Sequence, residues 1–321
     1  MDFELGQDEQ ELVEGIRRLC AGRFALEQVR AGEGRRALDL GAWAALADAG
    51  VFSLRLTGTD GAGLGMAAAA LVFEELGRAL VPGPLAATES AAGLVKGAAT
   101  GDAPVALVRR PAASSSAMVG DLASLGALLV VDGEGAWRVD PASVDAEEVV
   151  HGLDPLTPLW RVREVPRGDP VGDAAVAGRL WRDQLVLSAA LLAGMASATC
   201  DMATGYAKVR RQFDRPIGSF QAVKHLCADM LVRAESARTS VEAAAVTVDQ
   251  PEVGDDHRAA AGAALMAAEA ALANAKACIQ VHGGMGFTWE VPAHLYLKRA
   301  VVLCRLLEPE AMWAETLAER F

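Results

Sequence analysis

The chain has 321 residues, enough for two or three domains, and a formal net charge of -12. Such an acidic balance excludes nucleic acid or an anionic membrane as the main partner, because binding a phosphate backbone needs a broad basic face. Hydrophobic residues make up 52% with only 5% aromatics, and much of the apolar content is Ala, which favours close-packed helices over a large sheet.

The N-terminus is acidic and lacks an apolar run, so a secretory leader is not expected and the reading is cytoplasmic. Residues 7–31 read as one helix with Leu12, Ile16, Leu19 and Cys20 on its apolar face. Residues 39–50 read as a second helix, with Trp43 and Leu46 inward and Gly50 as its stop. Gly58–Gly65 holds four glycines in eight residues, but no Gly-Lys-Ser/Thr ending and no preceding strand, so it reads as a plain loop. Met66–Leu80 is an amphipathic helix with Glu74 and Glu75 outward, and a further helix is expected over 85–96.

From about residue 98 the pattern turns to short strands: 103–109, 127–131, 136–139 and 159–165, with Val149 and Val150 as a further candidate. From Asp173 it is helical to the end, over about 173–211, 217–248, 255–283 and 292–318, with breaks expected at Gly194 and Gly205. Four long helices with short connections predict an antiparallel bundle. The fold class is therefore mostly α: an N-terminal helical domain (1–97), a small truncated β domain (98–170) and a C-terminal four-helix bundle (171–321). The uncharged stretch Gln184–Cys200 reads as a buried bundle helix rather than a membrane span. Five scattered cysteines with no CxxC or Cys/His cluster suggest neither a metal site nor a disulfide framework.

One stretch stands out chemically. Tyr206–Gln221 (Tyr-Ala-Lys-Val-Arg-Arg-Gln-Phe-Asp-Arg-Pro-Ile-Gly-Ser-Phe-Gln) places Arg210, Arg211 and Arg215 beside Phe213 and Phe220, flanked by Gln212 and Gln221. Arginine grips phosphate bidentately and glutamine hydrogen-bonds a phosphate oxygen or a base edge. Read alone, the stretch is either a holder of an anionic, partly aromatic ligand or a solvated basic turn. A second string, Gln280-Val-His-Gly-Gly-Met-Gly-Phe-Thr-Trp-Glu290, stands at the last bundle junction. His282 and His294 are expected to be structurally hydrogen-bonded, and Trp289 to pack at the bundle edge or a subunit contact.

These two strings in this order, with Phe73-Glu-Glu-Leu-Gly-Arg78 and the Met-Asp-Phe-Glu-Leu start, resemble the acyl-CoA dehydrogenases over residues 1–95 and 173–321. The resemblance implies that Arg210, Phe213 and Gln221 face the pyrophosphate part of FAD. It implies that Gln280, Gly283 and Gly284 approach the FAD of another subunit, and hence an oligomer. Three departures follow. The middle segment shows neither the Thr-Glu-Pro-x-Ala-Gly-Ser-Asp-like loop nor the Trp-x-Thr-like strand that hold the flavin ring, and Pro111–Ser116 does not replace them. The family's two positions for the catalytic carboxylate hold Leu307 and Arg211, with Glu308 one residue further. Asp214 replaces the usual glycine after Phe213.

The resemblance thus points to a partner subunit of a heteromeric, α2β2-type acyl-CoA dehydrogenase that lacks the base and shares FAD with a catalytic subunit. The complex's substrate would be a bulky or steroid-linked acyl-CoA, with an electron-transfer flavoprotein as a further partner. Two alternatives stay open: a competent homo-oligomeric enzyme using Glu308 or Glu290 as a shifted base, and a flavin-free scaffold protein.

Overall fold

The computed structural model describes residues 6–58, 61–110, 116–307 and 309–320. Helices α1 (Gln7–Arg23), α2 (Leu26–Arg30), α3 (Leu40–Asp48), α4 (Met66–Arg78) and α5 (Leu85–Ser90) come first. The expected 7–31 helix is broken at Phe24, where the backbone leaves helical geometry and the ring turns into the core at 5% exposure. The 85–96 helix stops at Ser90, because Gly93 and Gly97 adopt φ of +79° and +86° in the following turns. Asp39 caps α3 by accepting from the Gly41 and Ala42 amides, and Trp43 and Leu46 are buried as expected.

Strands β1 (Val105–Arg109), β2 (Ala117–Gly120), β3 (Ala127–Val131), β4 (Gly135–Val139), β5 (Ala146–Glu148), β6 (Leu159–Val162) and β7 (Asp169–Asp173) make two sheets. One has the order β1-β3-β4-β7, with β1 and β3 parallel; the other, β2-β6-β5, is antiparallel. Strands β2, β5 and β7 escape the sequence pattern, being short and largely half-exposed, without apolar alternation. Val149 and Val150 lie outside any strand.

The long helices are α6 (Ala174–Val209), α7 (Gln221–Asp249), α8 (Asp256–His282) and α9 (Ala293–Leu307), followed by α10 (Glu310–Glu319). A single helix over 292–318 was expected; Pro309 separates it into two, since proline cannot donate within a helix. Helix α6 runs unbroken through Gly194 and Gly205. Gly194 is there for contact rather than for a break: a Cβ on it would stand 2.0 Å from the Glu74 carbonyl, and one on Gly77 would stand 2.0 Å from the Leu191 carbonyl. The two glycines let α4 and α6 cross backbone to backbone. By length and hydropathy α6 could cross a membrane, but 78% of its most apolar window is buried within the fold. One apolar cluster runs from Ile16 through the sheet residues Val105 and Leu129 to Trp313, so helices, sheet and bundle share a core.

Polar ties cross that core. The Arg55 guanidinium bridges Glu89 and Asp183, and Arg182 links Asp183 to Asp256, joining the α3–α4 loop, α5, α6 and α8. Glu74 and Glu75, expected outside, lie inward, Glu74 toward Arg238 and Glu242 of α7 and Glu75 toward α1. Glu75 is 7% exposed and pairs with Arg17 at 2.8 Å. Burial and then the neighbouring Glu75 push the Glu74 carboxyl up to about 7, against the pull of Arg238 and Arg78.

This has a pH consequence. From about pH 4.5 to about pH 7 the folded chain keeps a Glu74 proton that the unfolded chain has released, so stability falls as pH rises across that window. Glu74→Gln is expected to be more stable than the parent above pH 7, by on the order of 2 kcal/mol, and equal to it near pH 4. Denaturant unfolding at the two pH values checks this.

Candidate functional site

Both singled-out strings lie at one end of the bundle. Helix α6 ends at Val209, and the chain then forms a hairpin of β8 (Arg211–Gln212) with β9 (Arg215–Pro216). Its two turn residues, Phe213 and Asp214, both have positive φ, +51° and +63°. Two-residue hairpins favour such a turn because its twist matches that of the strands. Glycine suits the second position best, and Asp tolerates it better than most residues. This accounts for Asp214 structurally. Asp214→Gly is expected to stabilise the chain by about 0.5 kcal/mol, the relief of left-handed strain being partly offset by the freer unfolded chain. Thermal unfolding measures it.

Arg211 is engaged in the hairpin, donating from Nη2 to the Asp214 carbonyl. Arg215 lies over the Phe220 ring, 4.1 Å from its centroid, and Phe213 meets Phe220 edge-on at 6.1 Å. Phe213 remains 85% exposed. The Arg210 guanidinium is exposed and has no partner among the described residues, while its backbone is fixed by the Arg210 N–H to Tyr206 O and Ile217 N–H to Arg210 O bonds. Helix α7 then starts at Gln221, not at 217, after a single turn over Ile217–Ser219. Phe220 offers no side-chain cap, so the first amides of this 29-residue helix, which begins at the exposed Gln221, have no acceptor from the capping residue.

The second string closes α8. Gln280 is exposed, and Gly283 ends the helix at φ +60°. Nothing lies within 4 Å of where a Cβ would stand on Gly283 or Gly284, so this backbone is bare and open to approach. Gly286 is different: a Cβ there would run into the Ile279 carbonyl at 2.4 Å. The two strings are locked together by Tyr206 and His282, whose rings stack with centroids 4.2 Å apart. His282 is buried and its Nδ1 donates to the Cys278 carbonyl at 2.8 Å, the structural role expected.

His294 does not match its expectation. Both its ring nitrogens are buried without a partner among the described residues, and the ring instead meets Trp289 edge-on at 4.6 Å. Burial, then nearby Lys298, lowers its pKa. Trp289 is half-exposed under the Lys298 ammonium at 4.6 Å, and with Phe287 (82% exposed) it leaves apolar surface at this end. The cysteines are free; Cys278 is packed against Cys200 and Met230, and burial pushes its thiol up to about 12. No group of residues suited to hold a metal ion occurs among those described.

Of the four positions weighed for a catalytic carboxylate, Leu307 is buried in the core, Arg211 is held in the hairpin, and Glu308 lies outside the described residues, as do 111–115. Glu290 is exposed.

Family models match at both ends: the acyl-CoA dehydrogenase N-terminal domain over residues 6–100 and the acyl-CoA dehydrogenase C-terminal domain over 182–306. The acyl-CoA dehydrogenase IpdE2 of Mycolicibacterium smegmatis is 34% identical over 78% of this chain and 77% of its own length. The chain belongs to the acyl-CoA dehydrogenase family. The acyl-CoA dehydrogenase FadE34 of Mycobacterium tuberculosis is 38% identical over 95% of this chain, which spans only 46% of FadE34. Two solved structures share the acyl-CoA dehydrogenase fold, each with a TM-score of 0.84: the steroid ACAD Tcur3481–Tcur3483 at 24% identity and the ChsE4–ChsE5 complex from Mycobacterium tuberculosis at 22%. They cover 98% and 99% of this chain, and each is itself covered to 98%. Members of this family bind FAD, and the open donors at the bundle end are chemically suited to its anionic part.

Sequence reasoning found both strings but not the Tyr206–His282 stack that joins them. It also missed Asp121, Ser188 and Arg299, buried polar residues that line a cavity beside the sheet. No local pattern marks them, because they meet only through contacts between distant segments.

Proposed function

We propose that this chain is a non-catalytic partner subunit of a heteromeric, FAD-dependent acyl-CoA dehydrogenase. One observation carries the reading. At a single end of the bundle, an unengaged Arg210, the uncapped α7 start at Gln221, Gln280 and the bare Gly283–Gly284 backbone come together, while Arg211 is consumed by the hairpin. Arg210 and Gln221 would hold the pyrophosphate, Phe213 would lie against neighbouring groups, and Gln280 with the glycines would approach the FAD of another subunit. The bound flavin supplies a hydride acceptor for α,β-dehydrogenation. This chain would bind and orient it for a catalytic subunit that brings its own base.

The named pairs Tcur3481–Tcur3483 and ChsE4–ChsE5 support a two-component assembly, and the description of the first as a steroid ACAD supports a bulky, steroid-linked acyl-CoA as the substrate of the complex. An electron-transfer flavoprotein is the expected electron acceptor. The test is flavin stoichiometry. Purified with its dehydrogenase partner, the complex is expected to hold one FAD per two chains, and this chain alone to be colourless and inactive toward acyl-CoAs. A yellow, active homo-oligomer would reject the reading.

A further inference from the structure

The two strings of the proposed flavin half-site belong to helices that end side by side, α6 and α8. Near that end the helices meet through small side chains: Cys200, Ala203 and Ala207 of α6 cluster with Ala277, Cys278 and Val281 of α8. Short side chains let helices approach closely but raise only shallow ridges, so they define rotation and sliding weakly. The large contact here is the stack of Tyr206 on His282, with an interplanar angle of 25°. Each ring is tied by backbone to one string. The Tyr206 carbonyl accepts the Arg210 N–H at 2.9 Å. His282 is the last residue of α8; Gly283 follows it, and the Gly283 N–H donates to the Gln280 carbonyl. A shift of either ring therefore passes through one turn of backbone, to Arg210 on one side and to Gln280, Gly283 and Gly284 on the other.

Two details separate Tyr206 from a residue that only fills the core. The chain's other tyrosine, Tyr296, is buried and donates its hydroxyl to the Arg78 carbonyl. Tyr206 is half-buried, and its hydroxyl has no hydrogen-bond partner among the described residues, so its ring carries the contact. The second detail is the partner ring. His282 is held by its Nδ1 donating to the Cys278 carbonyl, so the face it presents to Tyr206 is fixed.

We propose that Tyr206 is a positioning residue for flavin binding: its ring, stacked on His282, sets where Arg210 and Gln221 stand relative to Gln280 and the Gly283–Gly284 backbone. The proposal rests on the half-site reading above. A binding constellation works when supporting side chains hold it to within about 0.5 Å. Tyr206 touches no flavin atom in this role and acts through Arg210 and His282.

The test is the FAD dissociation constant of the complex with the dehydrogenase partner, read by quenching of flavin fluorescence, with assembly followed by sedimentation. Tyr206→Leu is expected to weaken FAD binding by about tenfold, the upper end of what an aromatic pair contributes, while the complex still assembles. Tyr206→Phe is expected to bind FAD like the parent. Parent-like affinity in Tyr206→Leu overturns the proposal. So does a loss in Tyr206→Phe equal to that in Tyr206→Leu, which would make the hydroxyl the working group. Flavin loss matched by loss of assembly overturns it too, since the role is then structural. Should Tyr206→Leu fail to fold, His282→Asn decides: it keeps an N–H for the Cys278 carbonyl, removes the ring, and is expected to show the same tenfold loss, parent-like affinity overturning the proposal. Arg210→Ala measured in parallel separates the two readings. If it weakens FAD binding and Tyr206→Leu does not, only the positioning role falls; if it leaves FAD binding unchanged, the half-site itself falls.

Discussion

Arg210→Ala combined with Gln280→Ala is expected to strip most of the FAD from the complex of this chain with its dehydrogenase partner. Charge-assisted contacts to phosphate are stronger than neutral ones, and removing one typically weakens binding by about tenfold to a hundredfold. Two independent contacts would together weaken flavin binding by at least about a hundredfold. Both side chains are exposed, and Arg210 has no side-chain partner among the described residues, so neither truncation disturbs the fold. Arg210→Lys is expected to recover only part of the loss, because an ammonium lacks the planar fork. Arg211→Ala serves as a contrast: it removes a hairpin bond and should alter stability more than flavin content. Visible absorbance of the purified complex and the dissociation constant for added FAD measure the effect. Unchanged flavin content in the double variant would reject the shared half-site while leaving the family membership intact.

The largest effect on stability is expected at Asp154→Ala, about 3–5 kcal/mol. Asp154 is 2% exposed, and every polar contact it makes is buried. Its Oδ2 accepts from Arg299 Nε and the Thr157 hydroxyl, and its Oδ1 accepts from the Leu156 amide at 3.0 Å. Without it the Arg299 guanidinium stays buried with one nitrogen already unpaired. Breaking a buried pair by removing one partner costs more than replacing both, so Asp154→Leu with Arg299→Met should restore much of the loss. Denaturant unfolding of the two variants reads the difference. Equal stabilities would mean that the charge left behind is solvated.

The two predictions differ in how far their residues could be foreseen. Arg210 and Gln280 sit in short strings whose composition announces anion chemistry, and the family resemblance implied their roles. Asp154 and Arg299 are 145 positions apart in segments with no local signature. The same contrast holds for the elements. Trp43 and Leu46 were placed inward by helical spacing and are buried. The spacing of Glu74 and Glu75 points outward, because periodicity assigns one apolar face and cannot know that α7 and α1 meet the others. His294 is expected to find a hydrogen bond and, among the described residues, meets only the edge of Trp289.

The helical class, the order of helices, strands and bundle, and the two strings that carry the family are all legible in the residues alone. These rest on local quantities: propensity, periodicity, turn residues and charge spacing, all read within a few turns of chain. Packing between distant segments leaves Arg210 without a partner among the described residues while Arg211 closes the hairpin, stacks Tyr206 on His282, and makes Gly77 and Gly194 the site of a helix crossing. It alone gathered Asp121, Gln184, Ser188 and Arg299 around one cavity. Each of these depends on which surfaces meet when the helices pack, and packing joins residues that no window of sequence holds together.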